Sequence, residues 1–421
     1  MNHHLWIIAT GALCNAACAL LGSFLVLRRM SLLGDAISHA ILPGLALSFL
    51  ATGSRAVAPM FLGAMAMGLL TAFLTQRLQR FARVTEDVSM GVVFTSLFAF
   101  GVILINQARH VDLDPGCVLY GLIELTPLDT WALAGAEIPR APIVLGIVFA
   151  LDCTFVVLFW KELKLAAFDP ALATTLGFSA TALHYLLMGL VAGTTVAAFE
   201  AVGSVLVVAM LIAPAAAAQL LTDRLSLMVV LSVVIGVSSS AFGYWGAVEW
   251  NTSVAGMMAT AAGAHYFVAL LLAPRYGLIS KALQRLEVAL RIVMEDVLAL
   301  LYRWSEVKGD AELGGRYVVA ALGGGIGPRL AVWVLQLRQQ VGDAGGGLRL
   351  TARGKARARE LIRSHRLWET YLARELGIPL DHVHDPAERM EHYITESLRD
   401  SLKDQLATPE QDPHGRPIPR E

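Results

Sequence analysis

The sequence predicts an all-α polytopic membrane protein with about nine transmembrane helices, followed by a cytosolic, mainly helical winged-helix domain. Of its 421 residues 56% are hydrophobic and 16% are charged, whereas soluble proteins carry about 25% charged residues. Residues 1–274 hold 25 of the 67 charged side chains, and residues 275–421 hold the other 42. This division excludes a single soluble enzyme, and the net charge of −1 excludes a nucleic-acid binder that relies on bulk charge.

The membrane part is predicted from apolar runs of about 20 residues, the length that crosses the hydrocarbon core of a bilayer. Nine such runs lie at 5–27, 34–52, 57–75, 88–106, 142–160, 182–199, 202–220, 226–245 and 254–273.

Basic residues in the short loops predict the orientation, because they concentrate on the cytosolic side. The loops after the odd-numbered spans contain Arg28, Arg29, Arg77, Arg80, Arg83, Lys161, Lys164, Arg224 and Arg275, whereas the opposite loops contain Arg55, Arg109 and Arg140. We therefore expect the N-terminus outside the cell and the C-terminal segment in the cytosol.

Asp35 and His39 stand out among the residues of the predicted spans, because ionisable groups are costly in lipid. They are four apart, so they share one face of a helix. Gly34, Pro43 and Gly44 flank the pair, as expected of a broken helix along a polar pathway. A carboxylate with an imidazole suits a divalent transition metal, although a hydrogen bond that locks two helices would use the same residues.

Two further carboxylates are weaker candidates. Glu249 is predicted at the outer mouth of the ninth span, where it either attracts cations or is a plain interfacial charge. Glu200 is predicted in a short outer turn between spans.

Residues 1–275 resemble the membrane subunit of the ABC-type manganese/zinc/iron uptake permeases. The resemblance rests on GSFLVLRRMSLLGDAISHAILPG at 22–44, FDPALATTLG at 168–177 and VGSVLVVAMLIAPA at 202–215. It implies a metal permease in the bacterial cell (inner) membrane, with Asp35 and His39 on the pathway. One departure is visible, since EWNTS at 249–253 replaces the family's usual segment before the last span.

The same resemblance implies a pore made by a homodimer, or by pairing with a second permease. It further implies an extracellular metal-binding lipoprotein and a cytosolic ATPase subunit as partners. The ATPase would contact a coupling helix that contains Asp169, Pro170 and Gly177. No GxxxxGK[ST] motif occurs in the chain, so ATP would act only through the partner.

The pattern changes after the last span. Residues 276–291 begin an amphipathic helix that continues to Trp304. A helix near 316–322, a glycine turn at 323–327 and a helix from Pro328 to about Val341 follow, in the outline of a helix-turn-helix. Residues 342–351 predict a β-wing, and Thr351 begins a basic helix to about Ser364. We assign 292–351 to a winged helix-turn-helix and 352–421 to a metal-binding region.

Histidines and carboxylates recur at helical spacing in this last region. His365 and Glu369 are four apart, as are Glu388 and His392, with His384 one turn before Glu388. Two such helices could enclose a divalent cation, and the absence of thiolates favours manganese or iron over structural zinc. A solvated helix face rich in Glu and His would give the same pattern.

Residues from about 292 onward resemble the diphtheria-toxin-repressor family of metal-dependent transcription regulators. The matching stretches are MEDVLALLY at 294–302, LTARG at 350–354, HRLWE at 365–369, AERMEH at 387–392 and DPHGRPIP at 412–419. The resemblance implies a primary metal site of Asp296, His365, Glu388, Glu391 and His392, with Glu369 and His384 as ancillary ligands. Glu388 leans towards manganese, whereas Ala299 departs from the manganese-type pattern.

The helix from Pro328 offers Arg329, Gln336 and Arg338 as readers of the DNA major groove. The helix is also very apolar, so two further interpretations stay open for the C-terminal domain: a gate that inhibits transport at high cytosolic metal, or a regulator released from the membrane. The whole chain is interpreted as a metal permease with a metal-sensing domain. The alternative is a membrane-anchored, metal-dependent transcription regulator.

Overall fold

The computed structural model describes residues 2–30, 33–53, 57–107, 123–133, 136–309, 311–345, 347–406 and 409–419. Arg55 and Arg109, which contribute to the predicted orientation, lie outside these ranges. The chain divides into two compact units, Met1–Ser280 and Lys281–Glu421.

The first unit is almost entirely helical in its described part. Its helices are α1 (Asn2–Leu27), α2 (Leu33–Ala40), α3 (Leu42–Thr52), α4 (Val57–Ala82), α5 (Glu86–Gln107), α6 (Arg140–Leu158), α7 (Trp160–Phe168), α8 (Pro170–Thr175), α9 (Ala180–Val202), α10 (Ser204–Leu221), α11 (Leu225–Trp250) and α12 (Val254–Leu272). A 3-10 helix (Ile123–Leu128) and a hairpin of β1 (Thr130–Leu133) with β2 (Ala136–Pro139) precede α6.

Eight helical segments of the described residues are long and apolar enough to cross a membrane, α2 and α3 counting together as one. They correspond to eight of the nine predicted spans. The seventh predicted span is α10, a shorter apolar helix. It begins only after Gly203, whose φ of +80° favours glycine, and it contains Pro214.

The structure tests the predicted break in the second span and the predicted position of Glu200. The second span is interrupted between α2 and α3 at Ile41, with Pro43 in the first turn of α3, as expected of a broken helix. The placement of Glu200 in a turn is wrong, because α9 continues to Val202. Glu200 is instead held 3.1 Å from the Arg140 guanidinium at the start of α6.

Helix α1 lies at the centre of this unit and packs against α6, α9, α10 and α11. Cys14, Cys18 and Phe24 on it are fully buried. At Gly22, a Cβ would come within 1.9 Å of the Leu211 carbonyl oxygen on α10. The close crossing of these two helices therefore requires glycine at this position.

The second unit contains α13 (Leu278–Lys308), β3 (Leu313–Gly314), α14 (Gly315–Ala321), α15 (Ile326–Leu337), β4 (Val341–Ala344), β5 (Gly347–Leu350), α16 (Ala352–Arg374), α17 (His384–Met390) and α18 (Glu396–Gln405). The strands form an antiparallel sheet in the order β3-β5-β4. Helix, strand, two helices and a two-stranded wing follow in the order of a winged helix. Val297, Val318 and Ala331 are among the fully buried residues of its core.

Helix α16 differs from its predicted length. It begins after Thr351, whose hydroxyl accepts a hydrogen bond from the Gly354 N–H, as predicted. It does not end near Ser364 but continues to Arg374, because residues such as Leu367 and Leu372 extend its buried face. His365 and Glu369 therefore belong to the same helix as the basic segment.

Candidate functional site

The membrane unit places Asp35 and His39 together on α2. His39 Nε2 lies 3.6 Å from Asp35 Oδ1. The His39 ring stacks on Phe94 and meets the edge of Phe98, with both centroids 5.7 Å away on α5. The side chains of His39 and Asp35 are 33% and 45% exposed, so one copy of the chain leaves this nitrogen and oxygen open to a further ligand.

Glu249 does not join this pair in the described part of the chain. It lies in the last turn of α11, exposed, just before the turn that leads into α12. No measured contact connects it to Asp35 or His39, so its role as a pathway residue depends on position alone.

Asp152, on α6, is an ionisable membrane residue that the sequence analysis missed. It is fully buried, and its Oδ2 accepts a 2.8 Å hydrogen bond from the Thr194 hydroxyl on α9. Its Oδ1 is also buried and has no hydrogen-bond partner within the described ranges. A carboxylate in the middle of a predicted apolar span is a signal that could have found it.

The predicted coupling segment forms a short exposed helix, α8. Asp169 caps it by accepting a 2.9 Å hydrogen bond from the Leu172 N–H, and Pro170 occupies its first position. Gly177 ends the segment with a φ of +89°. Phe168, Leu172, Leu176 and Phe178 leave a patch of exposed apolar side chains around it.

The second unit brings His365, Glu369 and His384 into one cluster. Helix α16 contributes the first two, and the first residue of α17 contributes the third. His365 Nε2 lies 3.1 Å from Glu369 Oε1 and 3.2 Å from His384 Nδ1. His384 Nδ1 lies 2.9 Å from the same carboxylate oxygen. His365 and Glu369 are buried, whereas His384 is exposed.

A second cluster consists of Asp296, Glu391 and His392. Asp296 lies on α13, and the other two lie in a 3-10 turn after α17. His392 Nε2 is 3.2 Å from Asp296 Oδ1. His365 connects the clusters, because its other nitrogen, Nδ1, lies 2.5 Å from Glu391 Oε2.

Glu295 supports this second cluster and was also missed. Its Oε2 lies 2.9 Å from His392 Nδ1, and its Oε1 accepts a 2.8 Å hydrogen bond from Arg357. The contact fixes the orientation of the His392 ring, as the outer partners of metal-binding histidines do. Its place one residue before Asp296, within a helical pattern, carried no distinguishing signal.

The clusters hold the predicted primary residues Asp296, Glu391 and His392 together and the predicted ancillary residues Glu369 and His384 together. Glu388 is exposed on α17 and belongs to neither cluster of the described residues. His365, predicted as a primary ligand, contacts the two ancillary residues through Nε2. Ala299 is buried in the core of the winged helix and provides no ligand atom.

Imidazoles and carboxylates shift one another's pKa in both clusters. Burial raises the pKa of Glu369, but hydrogen bonds with His365 and His384 outweigh burial and lower it to about 2. Burial lowers the pKa of His392, but contacts with Asp296 and Glu295 raise it to about 10. The pKa of His365 is likewise raised by Glu369 and Glu391 against the effect of burial. Without metal, the protonated His392 ring therefore offsets part of the negative charge of Asp296 and Glu295.

These residues fit a divalent cation. His365 Nδ1 and Glu391 Oε2 are both buried and form an ion pair, 2.5 Å apart, without the geometry of a hydrogen bond. The two described clusters combine imidazole nitrogens and carboxylate oxygens without sulfur, a set that suits manganese or iron.

The three predicted DNA readers lie on or next to α15. Arg329 and Arg338 are exposed, and Gln336 is partly buried. The outermost side chains of this helix are apolar, as described below.

Residues 2–273 match the ABC 3 transport family. Residues 351–420 match the metal binding and dimerisation domain of iron dependent repressors.

Two relatives illustrate the first match. The chain is 48% identical over 288 residues to the manganese transport system membrane protein MntD of Bacillus subtilis, covering 68% of this chain and 97% of the relative. It is 39% identical to the zinc transport system membrane protein TroD of Treponema pallidum, covering 66% of this chain and 76% of the relative.

A solved structure, PsaBC from Streptococcus pneumoniae in complex with Fab, is 31% identical with a TM-score of 0.56. The likeness covers 66% of this chain and 94% of that one.

Proposed function

This chain belongs to the ABC 3 transport family, and we propose that it is the permease subunit of an ATP-driven importer whose cargo is manganese, with zinc and iron as the alternatives. The observation that carries the proposal is 48% identity across 97% of a manganese transport membrane protein. The C-terminal unit, a repressor-type metal-binding domain, would sense cytosolic metal.

The pathway is proposed to pass Asp35 and His39. Their half-exposed side chains offer one oxygen and one nitrogen from each copy. A homodimer, or a pair with a second permease, would complete the coordination of a cation that prefers such mixed ligands. Glu249 is proposed to attract cations at the outer side.

Energy would come from a separate cytosolic ATPase subunit. Asp169, Pro170 and Gly177 shape a capped, exposed helix surrounded by apolar side chains, which suits docking of a partner protein. An extracellular metal-binding lipoprotein would deliver the cargo. The excess of basic residues in the loops after odd-numbered spans supports an external N-terminus and a cytosolic C-terminal unit.

Regulation is proposed to depend on the clusters around His365. Asp296, Glu391 and His392 would hold one ion and His365, Glu369 and His384 a second, with Glu388 as a further, outer carboxylate. The bound metal would replace protons on the imidazoles and neutralise the carboxylates. Occupied clusters would then signal sufficient metal and reduce uptake.

The test is uptake of manganese, zinc and iron by cells that express the chain with its ATPase and binding protein. We expect D35A and H39A to abolish uptake, whereas E375A, an exposed residue at the end of α16, leaves it unchanged. E391A should retain uptake and relieve its shut-off at high metal. Uptake by this chain without ATP or the ATPase would contradict the proposal.

A second candidate, a membrane-anchored metal-dependent transcription regulator, is favoured by the winged-helix order of α13 to β5. The uptake experiment distinguishes this second function from the first. D35A and H39A would leave uptake unchanged, while metal would still alter occupancy of a promoter by the full-length protein through Arg329, Gln336 and Arg338.

A further inference from the structure

Helix α15 carries its largest apolar side chains on the outside. Ile326, Leu330, Trp333 and Leu337 are 83%, 37%, 56% and 64% exposed. With 3.6 residues per turn, these four positions fall within a sector of about 60°. Ala331 and Leu335, which are buried, lie on the opposite side. We call the four exposed residues the α15 stripe.

The α15 stripe is unsuited to its expected ligand. In a winged helix the second helix of the pair reads base edges with polar side chains in the major groove. Here Trp333 and Leu337 occupy the outward positions, and an apolar surface of this kind would meet phosphates and base edges that it cannot satisfy. A contiguous exposed apolar patch instead indicates a surface that binds something apolar.

The charges around the α15 stripe are positive. Residues 315–338 contain Arg316, Arg329 and Arg338 and no Asp or Glu. All three arginines are exposed. Tyr317, on the preceding helix, is exposed as well. Apolar and aromatic side chains bordered by arginines are the composition of helices that lie in the interface of an anionic bilayer.

The winged helix is joined covalently to the membrane unit. Helix α12 ends at Leu272, and α13, which contributes to the core of the winged helix, begins at Leu278. Only residues 273–277 lie between these two helices. The connection raises the local concentration of lipid around the second unit, whereas no DNA site is joined to the chain.

We propose that the α15 stripe docks the winged helix onto the anionic lipid surface of the membrane. Ile326, Leu330, Trp333 and Leu337 enter the interface, and Arg329 and Arg338 contact lipid phosphates. The inference goes beyond transport and metal sensing, and it does not depend on which metal is carried.

The experiment uses full-length protein in nanodiscs that contain a lipid with a fluorescence-quenching doxyl group. A fluorophore is attached at I326C or at the control position L376C, another exposed apolar residue shortly after α16, after replacement of the native cysteines. Nanodiscs of phosphatidylcholine are compared with nanodiscs that also contain phosphatidylglycerol.

We expect quenching at position 326 but not at position 376, and stronger quenching with phosphatidylglycerol. W333Q with L337Q should abolish the signal, whereas the matched variant Y393Q, at another exposed aromatic residue, should not. R329Q and R338Q should each weaken docking roughly fivefold, the factor that corresponds to one surface charge. Unchanged helicity of each variant would show that folding is intact.

Equal quenching at positions 326 and 376 in both lipid mixtures would overturn the proposal. So would duplex DNA that binds the full-length protein and shields position 326, which would identify a DNA surface. Cross-linking of two copies through I326C, independent of lipid composition, would assign the α15 stripe to a protein interface and overturn it as well.

Discussion

The two candidate metal sites of this chain differ most in their surroundings. His39 Nε2 and Asp35 Oδ1 lie 3.6 Å apart, about a third or more of each side chain is exposed, and the His39 ring contacts Phe94 and Phe98. His365, in contrast, is buried and contacts three other candidate ligands. A transport site must release its ion, whereas a sensing site must hold one long enough to report it. The exposed pair of Asp35 and His39 suits release of an ion, and the buried, mutually connected residues around His365 suit its retention.

The largest effect is expected when the packing around the metal clusters of the second unit is disturbed. Arg366 on α16 is buried, and its guanidinium donates to Glu306 on α13 and to the Pro417 carbonyl, 2.6 Å away. R366M should lower the free energy of unfolding of this unit by about 3 kcal/mol, the lower end for a broken buried pair because Glu306 is partly exposed. Hydrogen exchange of α16 in the full-length protein measures it.

Uptake should continue in R366M but lose its shut-off at high metal, since the membrane pair lies in the other unit. R374M, at an exposed position of the same helix, is the control. Protection of α16 equal to that of the unchanged protein would contradict the role given to Arg366.

The next effect tests whether His365 serves both clusters. H365A should weaken manganese binding by the second unit about 100-fold, the upper end for loss of a group that supports a metal site, because both clusters lose a nitrogen. Calorimetric titration of full-length protein measures this. E375A, at an exposed position outside the clusters, should leave the binding curve unchanged, and a loss confined to one of two binding steps would contradict the shared role.

A smaller effect is expected from Glu295, which contacts no metal ligand atom other than the His392 ring. E295Q keeps the shape of the side chain but weakens the hold on that ring, so manganese affinity should fall about tenfold. E287Q, an exposed position on the same helix, is the matched control. If both variants bind equally well, Glu295 has no orienting role.

The last prediction concerns the pH dependence of stability. Since the pKa of His392 is raised to about 10, its contacts with Asp296 and Glu295 stabilise the metal-free unit fully below about pH 6.5, the ordinary histidine value. That stability should be lost as the pH rises towards 10.

Manganese affinity should change in the opposite direction, because a metal displaces the proton from His392. Melting curves with and without manganese across this range measure both trends. H392Q should flatten them, whereas H382Q, at an exposed histidine outside the clusters, should not. Parallel slopes with and without metal would contradict the assignment.

Sequence reasoning was strongest where one physical rule decides the structure. The lengths of the apolar runs predicted nine spans. Eight of them are helical segments long enough to cross a membrane, and the remaining one is the shorter helix α10. The predicted start of the basic helix at Thr351 is confirmed, because the Thr351 hydroxyl caps α16. Both rules act over a few neighbouring residues, so no distant contact can alter them.

Sequence reasoning was weakest where the structure depends on contacts between segments that are distant in the chain or on where a helix ends. The spacing of Glu388 and His392 predicts one helix face only if the helix is continuous, but α17 ends at Met390 and a 3-10 turn follows. The two residues therefore separate, and Glu388 remains exposed. Glu295 was missed because its partner Arg357 is distant in sequence. The shared position of His365 likewise depends on a contact between elements.

The length of α13 has a mechanical consequence. It is one uninterrupted helix of 31 residues, and Asp296 lies 18 residues from its first residue, or about 27 Å at 1.5 Å per residue. A continuous helix resists bending and twisting, unlike a flexible linker. A rotation of this helix about its axis at Leu278 would therefore reach Asp296 undiminished, whereas a flexible linker of the same length would absorb it.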